Sequence, residues 1–320
     1  MVKLPRHWSK ISETGSILGM KILLACYRIF GRNVFRITLL LVIGYYYLMN
    51  KHARQASQAY LKKVKPLCQP QSKALTPFRH FWTFGELLLD KFLVWMGHIQ
   101  RQDIIFHNKA SMQYMNERNK GGIIVVSHLG NTEICSAIAH QMPNIKVTML
   151  VHTKHAQKFN RMLKQTNANA NISVMQVTDM SPATAMTLSE RVEAGEYIII
   201  AGDRTPVHGT ARTTVVQFLQ HPASFPQGAF ILAGLLKCPV FLMFCLKQQN
   251  KYHIYIELFS EQLMGPRKTR EQRLDNTVKD YAKRLEHYCL MQPLQWFNFY
   301  DFWYIDSSQT KLNTTKKGQT

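Results

Sequence analysis

The sequence predicts an α/β protein: a mostly parallel central sheet flanked by helices, with a helical, membrane-associated segment at the N-terminus. Three observations lead there. Short β-rich runs lie at 123–127, 147–151, 172–177, 197–201, 239–245 and 252–258, with helical stretches between several of them. Such alternation places strands side by side in parallel and helices over their faces. The run Ile123-Ile-Val-Val126, framed by Gly121-Gly122 and Ser127, is apolar at every position, as a strand buried on both faces is. Residues 1–65 carry twelve Lys or Arg against one acid, Glu13, interleaved with apolar stretches.

Composition narrows the class. The chain has 320 residues, enough for one large domain or two small ones, and 46% hydrophobic with 11% aromatic residues excludes a mostly disordered chain. Cys26, Cys68, Cys135, Cys238, Cys245 and Cys289 show no CxxC and no His-paired spacing. They read as buried thiols in a reducing compartment, not as a zinc site or a disulfide framework. His152 and His155 have no partner ligands nearby and read as surface histidines. No metal and no cofactor is expected.

About half of the net charge of +21 lies in the first fifth of the chain. Ile17 to Phe30 is apolar apart from Gly19, Lys21 and Arg28, whose spacing puts both charges on one helical face. Ile37 to Met49 is apolar throughout, ends in a Tyr triplet, and is bracketed by Arg36 and Lys51. As a helix it reaches about 20 Å, short of the roughly 30 Å hydrocarbon core. It therefore lies in the interface, dips into one leaflet, or spans with help from snorkelling flanks. Tyr at the boundary and clustered Lys/Arg suit an anionic cytoplasmic leaflet. A buried core helix and a nucleic-acid-binding role are the competing readings, and no Gly-aromatic RNA-binding pattern or zinc finger supports the latter.

Residues 1–65 thus form a basic anchoring region, residues 66–306 an α/β domain, and the polar tail 307–320 a disordered end. Residues 66–77 are punctuated by Pro and Gln and read as a loop. Phe78 to Met96 is an amphipathic helix with Phe81, Phe84, Leu88, Phe92 and Trp95 at three- and four-residue intervals, spacing that a core face explains. A further helix is predicted at Asp179 to Val192.

Candidate site residues sit where parallel sheets place them, at the C-terminal ends of strands. After 123–127 comes His128-Leu-Gly-Asn-Thr-Glu133, opening a helix-like run from Thr132 to Met142. On one continuous helix His128 and Glu133 would lie about 140° apart. With His128 at a strand end and Glu133 in the first helical turn, carboxylate and imidazole can meet and make an oriented general base. His98 and Asp103 share the spacing but lack the strand and glycine turn, and read as a chance match. Tyr197-Ile-Ile-Ile-Ala201 runs into Gly202-Asp203-Arg204-Thr205-Pro206-Val207, where Asp203 and Arg204 either fix a turn or hold a phosphate or carboxylate. Phe225-Pro226-Gln227-Gly228 leads into an apolar helix, Ala229 to Leu236, and reads either as a simple helix start or as a site where the first amides bind an anion or oxyanion. Gln295-Trp-Phe-Asn-Phe-Tyr-Asp-Phe-Trp303 is a lid, an acyl-chain wall or plain core.

HLGNTE, GDR-x-PV, FPQG with its apolar helix, and the basic N-terminus occur in the order seen in bacterial lipid A late acyltransferases, which the chain resembles over most of residues 8–305. Those enzymes belong to the lysophospholipid acyltransferase superfamily. Trp8 with Glu13-Thr-Gly-Ser16, and the closing QWFNFYDFW, resemble a branch found with aryl-polyene and related polyketide-lipid pathways. The resemblance implies a glycerolipid-acyltransferase-like fold at the cytoplasmic face of the inner membrane. It implies a donor on acyl carrier protein or CoA and a lipid or glycolipid acceptor. His128 would deprotonate the acceptor hydroxyl and Glu133 would orient the imidazole. Amides near Gly130 and Asn131, or at Gly228 after Pro226, would stabilise the oxyanion, with Asp203 and Arg204 binding substrate. Cys135 is conceivable as an acyl carrier, though a buried helical thiol is the plainer reading. The rival functions are a thioesterase using the same dyad and a non-enzymatic membrane adaptor.

Overall fold

A computed structural model describes residues 17–68, 75–95, 97–134, 145–151, 172–176, 181–205, 212–263 and 265–304. The expected helix from Thr132 is described only through Ile134; its remainder with Cys135, the pair His152 and His155, and the tail from 305 lie outside those residues.

Helix α1 (Ile17–Met49) joins the two apolar stretches, and Gly31, at φ 75° and ψ −171°, interrupts it between them. Helix α2 (Lys51–Val64) starts at Asn50, whose side chain accepts from the Ala53 amide at 3.1 Å. Helix α3 (Pro77–Trp95) is the expected amphipathic helix. Leu39 and Ile43 of α1 close on Gly85 of α3, where a Cβ would stand 2.8 Å from Leu39 Cδ1. Tyr47 meets the rings of Phe78 and Phe81 edge-on, and Arg36 pairs with Glu86 at 2.9 Å. The opposite face of α1 leaves Val34, Ile37, Leu41, Tyr45 and Leu48 exposed. No helix among the described residues is long and apolar enough to cross a membrane.

Among the described residues the sheet has seven strands: β1 (Ile104–His107), β2 (Ile123–Val126), β3 (Val147–Val151), β4 (Ile172–Gln176), β5 (Tyr197–Ala201), β8 (Val240–Gln248) and β9 (Lys251–Ser260). Their order is β4-β3-β5-β2-β8-β9-β1. The first five are mutually parallel; β9 runs antiparallel to β8, and β1 lies parallel to β9. All six expected runs are strands. Strand β1 and a separate hairpin, β6 (Thr213–Phe218) with β7 (His221–Pro226), were not expected. Helices α4 (Lys109–Glu117), α5 (Pro182–Glu193), α6 (Gly228–Leu236) and α7 (Arg270–Met291) are the other α-helices among the described residues. The predicted start of α5 at Asp179 moves to Pro182, with Ser181 as its cap.

Side-chain alternation along the strands makes two cores. Ile123, Val125, Ile198, Leu242 and Phe244 face α5, α6 and α7, packing with Leu188, Phe230, Tyr281 and Leu285. Ile124, Val126, Ile199, Phe241 and Met243 face α1, α3 and α4, packing with Leu39, Phe81, Leu89 and Met115. Strand β2 is covered on both sides and buried at every position.

Candidate active site

Strands β2 and β5 pair in parallel with Val126 opposite Ala201, so two residues further along each chain bring His128 beside Asp203. The Gly202 amide extends the pairing by donating to the Val126 carbonyl at 2.9 Å. A side chain at Gly202 would come within 2.6 Å of Val125 Cγ1, so glycine is what allows this approach. The His128 ring bonds through Nδ1 to Asp203 Oδ1 at 2.7 Å, and the His128 amide donates to Oδ2 at 2.9 Å. Trp296 Nε1 and Asn298 Nδ2 each donate to the same Oδ2 at 3.1 Å. Asp203 is completely buried, and this cage of donors replaces the water it has lost.

The sequence led us to expect Glu133 on the imidazole; in the structure Asp203 occupies Nδ1, and Glu133 Oε1 pairs instead with Lys91 Nζ at 2.6 Å. The loop explains the difference. Leu129 bridges Trp296, the Gly130 amide donates to the Gln295 carbonyl at 2.8 Å, and the Asn131 amide donates to the Cys245 carbonyl at 2.9 Å. Gly130 stands at φ +74°, and a Cβ there would fall 1.9 Å from the Cys245 carbonyl oxygen. Asn131 Nδ2 then donates to the Leu87 carbonyl of α3 at 3.1 Å, which lays the following turn along α3 and brings Glu133 to Lys91, one turn beyond Leu87. Glu133 Oε2 is buried with no hydrogen-bond partner among the described residues.

Charge sets the protonation states. Burial lowers the His128 pKa from its ordinary 6.5, and the nearby Arg204 lowers it further, against a partial upward pull from Asp203. Burial alone would raise Asp203, but His128 and Arg204 hold its carboxyl well below the usual carboxylate range. An ionised Asp203 can only accept, so Nδ1 carries the proton and Nε2 offers its lone pair. A third of the His128 side chain is open to solvent, so a substrate can reach it.

The other expected residues divide. Arg204 Nε donates to Asn298 Oδ1 at 2.8 Å and its NH2 to the Phe297 carbonyl at 3.1 Å, so this arginine bolts the end of β5 to the C-terminal segment. The Gly130 and Asn131 amides are both engaged, by the Gln295 and Cys245 carbonyls, and an oxyanion would have to displace those bonds. Pro226 is buried and ends β7, while Gly228 is exposed and opens α6. Helix α6 finishes just before β8 begins, so its N-terminus stands at the C-terminal edge of the parallel strands, the same edge as His128 and Asp203. Phe230 and Ile231 make its first bonds, to the Gln227 carbonyl.

Trp296 and Asn298 belong to the aromatic run read as a lid, a wall or core, and no role on a catalytic carboxylate was expected of them; Lys91 was not singled out from sequence. Asn298 and Gln295 had a readable signal, as amide side chains inside a run of aromatics. Each proves structural: Asn298 links Asp203 to Arg204, and Gln295 exchanges two bonds with the Lys247 backbone, at 3.0 and 2.7 Å. Lys91 had none.

A histidine held by a buried carboxylate, unprotonated at Nε2 and a third open to solvent at the edge of a parallel sheet, is equipped to deprotonate a hydroxyl or water. No curated protein matches the chain. The family model for bacterial lipid A biosynthesis acyltransferases matches residues 14–304, nearly the whole chain and every element of the site. The chain therefore belongs to the bacterial lipid A biosynthesis acyltransferase family and is an acyltransferase.

Proposed function

We propose that this protein moves an acyl chain from an acyl thioester, on acyl carrier protein or CoA, to a hydroxyl of a lipid or glycolipid acceptor, with His128 as general base. The observation that carries this reading is the His128–Asp203 bond at 2.7 Å, which leaves Nε2 unprotonated on a side chain a third open to solvent. Nε2 takes the hydroxyl proton as the oxygen attacks the thioester carbonyl. The tetrahedral intermediate collapses with cleavage of the C–S bond, and the imidazolium returns the proton to the departing sulfur. An ester and a free thiol result, with no covalent enzyme intermediate.

Asp203 takes the orienting role in this scheme. Glu133, retained as a catalytic-site residue, holds Lys91 beside the site through its Oε1. The first amides of α6, at Gly228 and Ala229, are the proposed oxyanion donors, since they precede the first intrahelical bonds and lie on the same sheet edge.

The reading places the protein at the cytoplasmic face of the inner membrane. Its support is the exposed apolar face of α1 together with the basic charge of residues 1–65. The resemblance of QWFNFYDFW and the Trp8 to Ser16 segment to the aryl-polyene branch favours an acceptor from that class of polyketide-lipid pathway.

The test is purified protein supplied with acyl thioester and membrane lipid, with products separated by mass spectrometry. A new lipid ester is expected. Free fatty acid alone, released equally without acceptor, would instead make the protein a thioesterase.

A further inference from the structure

Phe84 was expected in the core, yet it is more than a third exposed, while its neighbours Phe81 and Phe297 are buried. It shares a stripe of α3 with Leu88 and Lys91, at intervals of four and three residues. The stripe has two different ends. At one, Lys91 holds Glu133, and the same stretch of helix is tied to Asn131 through the Leu87 carbonyl. At the other, the Phe84 ring meets Phe297 and Phe299 edge-on, with centroids 5.2 and 5.5 Å away. That aromatic segment is fastened to the catalytic histidine itself: the Phe297 amide donates to the His128 carbonyl at 2.9 Å, and its carbonyl accepts from Arg204. Polar groups at one end and an open aromatic face about 10 Å along the helix suit an amphiphile whose reacting end lies at His128.

We propose that the hydrocarbon of the acyl donor lies along this stripe against Phe84, Leu88 and the Phe297–Phe299 segment, and that Phe84 sets the chain length accepted. The inference rests on acyl transfer at His128. It commits to the donor's chain rather than the acceptor's, because the donor's reacting carbonyl must come against the hydroxyl that Nε2 deprotonates.

The test uses the full chain, as wild type, Phe84→Ala, Phe84→Trp and Phe297→Leu, with a series of straight-chain acyl thioesters of increasing length against one fixed acceptor, and a series of acceptors of increasing chain length against one fixed thioester. The readout is kcat/KM against chain length. Phe84→Trp should move the optimum to shorter donors and Phe84→Ala to longer ones. The ratio between neighbouring lengths should change by roughly fourfold per methylene gained or lost, the expected value for a buried CH₂. Phe297→Leu should shift the profile without moving its acid limb in pH. Both Phe84 variants should remain folded and melt cooperatively, Phe84→Ala at a somewhat lower midpoint because it loses the contacts with Phe297 and Phe299. Turnover with an unmoved length profile overturns the wall, as does a profile that follows the acceptor's chains instead of the donor's. No turnover by the wild type with any donor overturns the acyl-transfer reading itself and the wall with it, a result distinguishable from the first two.

Discussion

His128 and Asp203 each stand two residues beyond a matched pair, Val126 and Ala201, on adjacent parallel strands. The base and its carboxylate are therefore neighbours by sheet register, and no helix need bring them together. The buried Asp203 carboxylate takes donors from His128, Trp296 and Asn298, so one residue joins the base, the sheet and the C-terminal segment.

Asp203→Asn should lower kcat by roughly 10²–10⁴-fold, the range expected when a catalytic imidazole loses the anion that fixes its tautomer. Because the amide cannot accept from every one of those donors, stability should also fall, by about 1–3 kcal/mol. Steady-state kinetics with a thermal melt on the same sample separates the two effects. Activity near wild type would remove Asp203 from the mechanism.

The pH profile should follow from the same contacts. With the His128 pKa lowered, its neutral form prevails at neutral pH, and kcat/KM should fall only as pH drops through a value below the ordinary 6.5. Asp203 pulls that pKa upward, so in any Asp203→Asn residual activity the acid limb should move to still lower pH. A limb above 6.5 would contradict the lowered pKa of the base.

Much of this arrangement was legible in the sequence, and the missing parts have physical causes. The β-branched runs announced the parallel strands, and HLGNTE and GDR were placed correctly at strand ends. The pairing across those ends was not legible, because register between strands far apart in sequence is a property of the folded sheet. The β6–β7 hairpin escaped because its turn, Leu219-Gln220, adopts positive φ at both residues, 50° and 61°, without the Asn-Gly or Gly that normally marks such a turn. Phe84 carried the same periodicity as the true core positions of α3, and only packing shows it to be open.

His80 offers a test of the scaffold behind the site. It is completely buried, with Nε2 on the Trp296 carbonyl at 2.9 Å and Nδ1 on Ser57 Oγ at 2.9 Å. The carbonyl can only accept, so Nε2 carries the proton and Nδ1 is unprotonated. Burial lowers its pKa to about 4 from 6.5. The unfolded chain thus binds the proton more tightly; stability is fully present above pH 6.5 and is lost as pH falls toward 4. Near pH 5 the loss should be about 2 kcal/mol, rising to about 3 kcal/mol at lower pH. Urea unfolding of wild type and His80→Gln across this range should show the extra slope in the wild type alone; parallel curves would assign it elsewhere.

The exposed face of α1 should govern membrane association. Replacing Ile37 and Leu41 together by Asp removes two apolar side chains from that face while leaving the buried Leu39 and Ile43 in place. Each buried aliphatic side chain contributes about 1.5–3 kcal/mol, so binding to anionic vesicles should weaken at least tenfold in a flotation assay. Unchanged flotation would locate the anchor elsewhere.

The most direct test of the central claim is His128→Ala, compared with wild type by mass spectrometry of lipid extracts from cells producing each protein. The account predicts an acylated lipid made by the wild type and reduced roughly 10²–10⁴-fold in the variant, with folding and membrane association retained. Acylation above about a tenth of the wild-type level in folded His128→Ala protein would contradict it, since a general base is worth at least about 10²-fold.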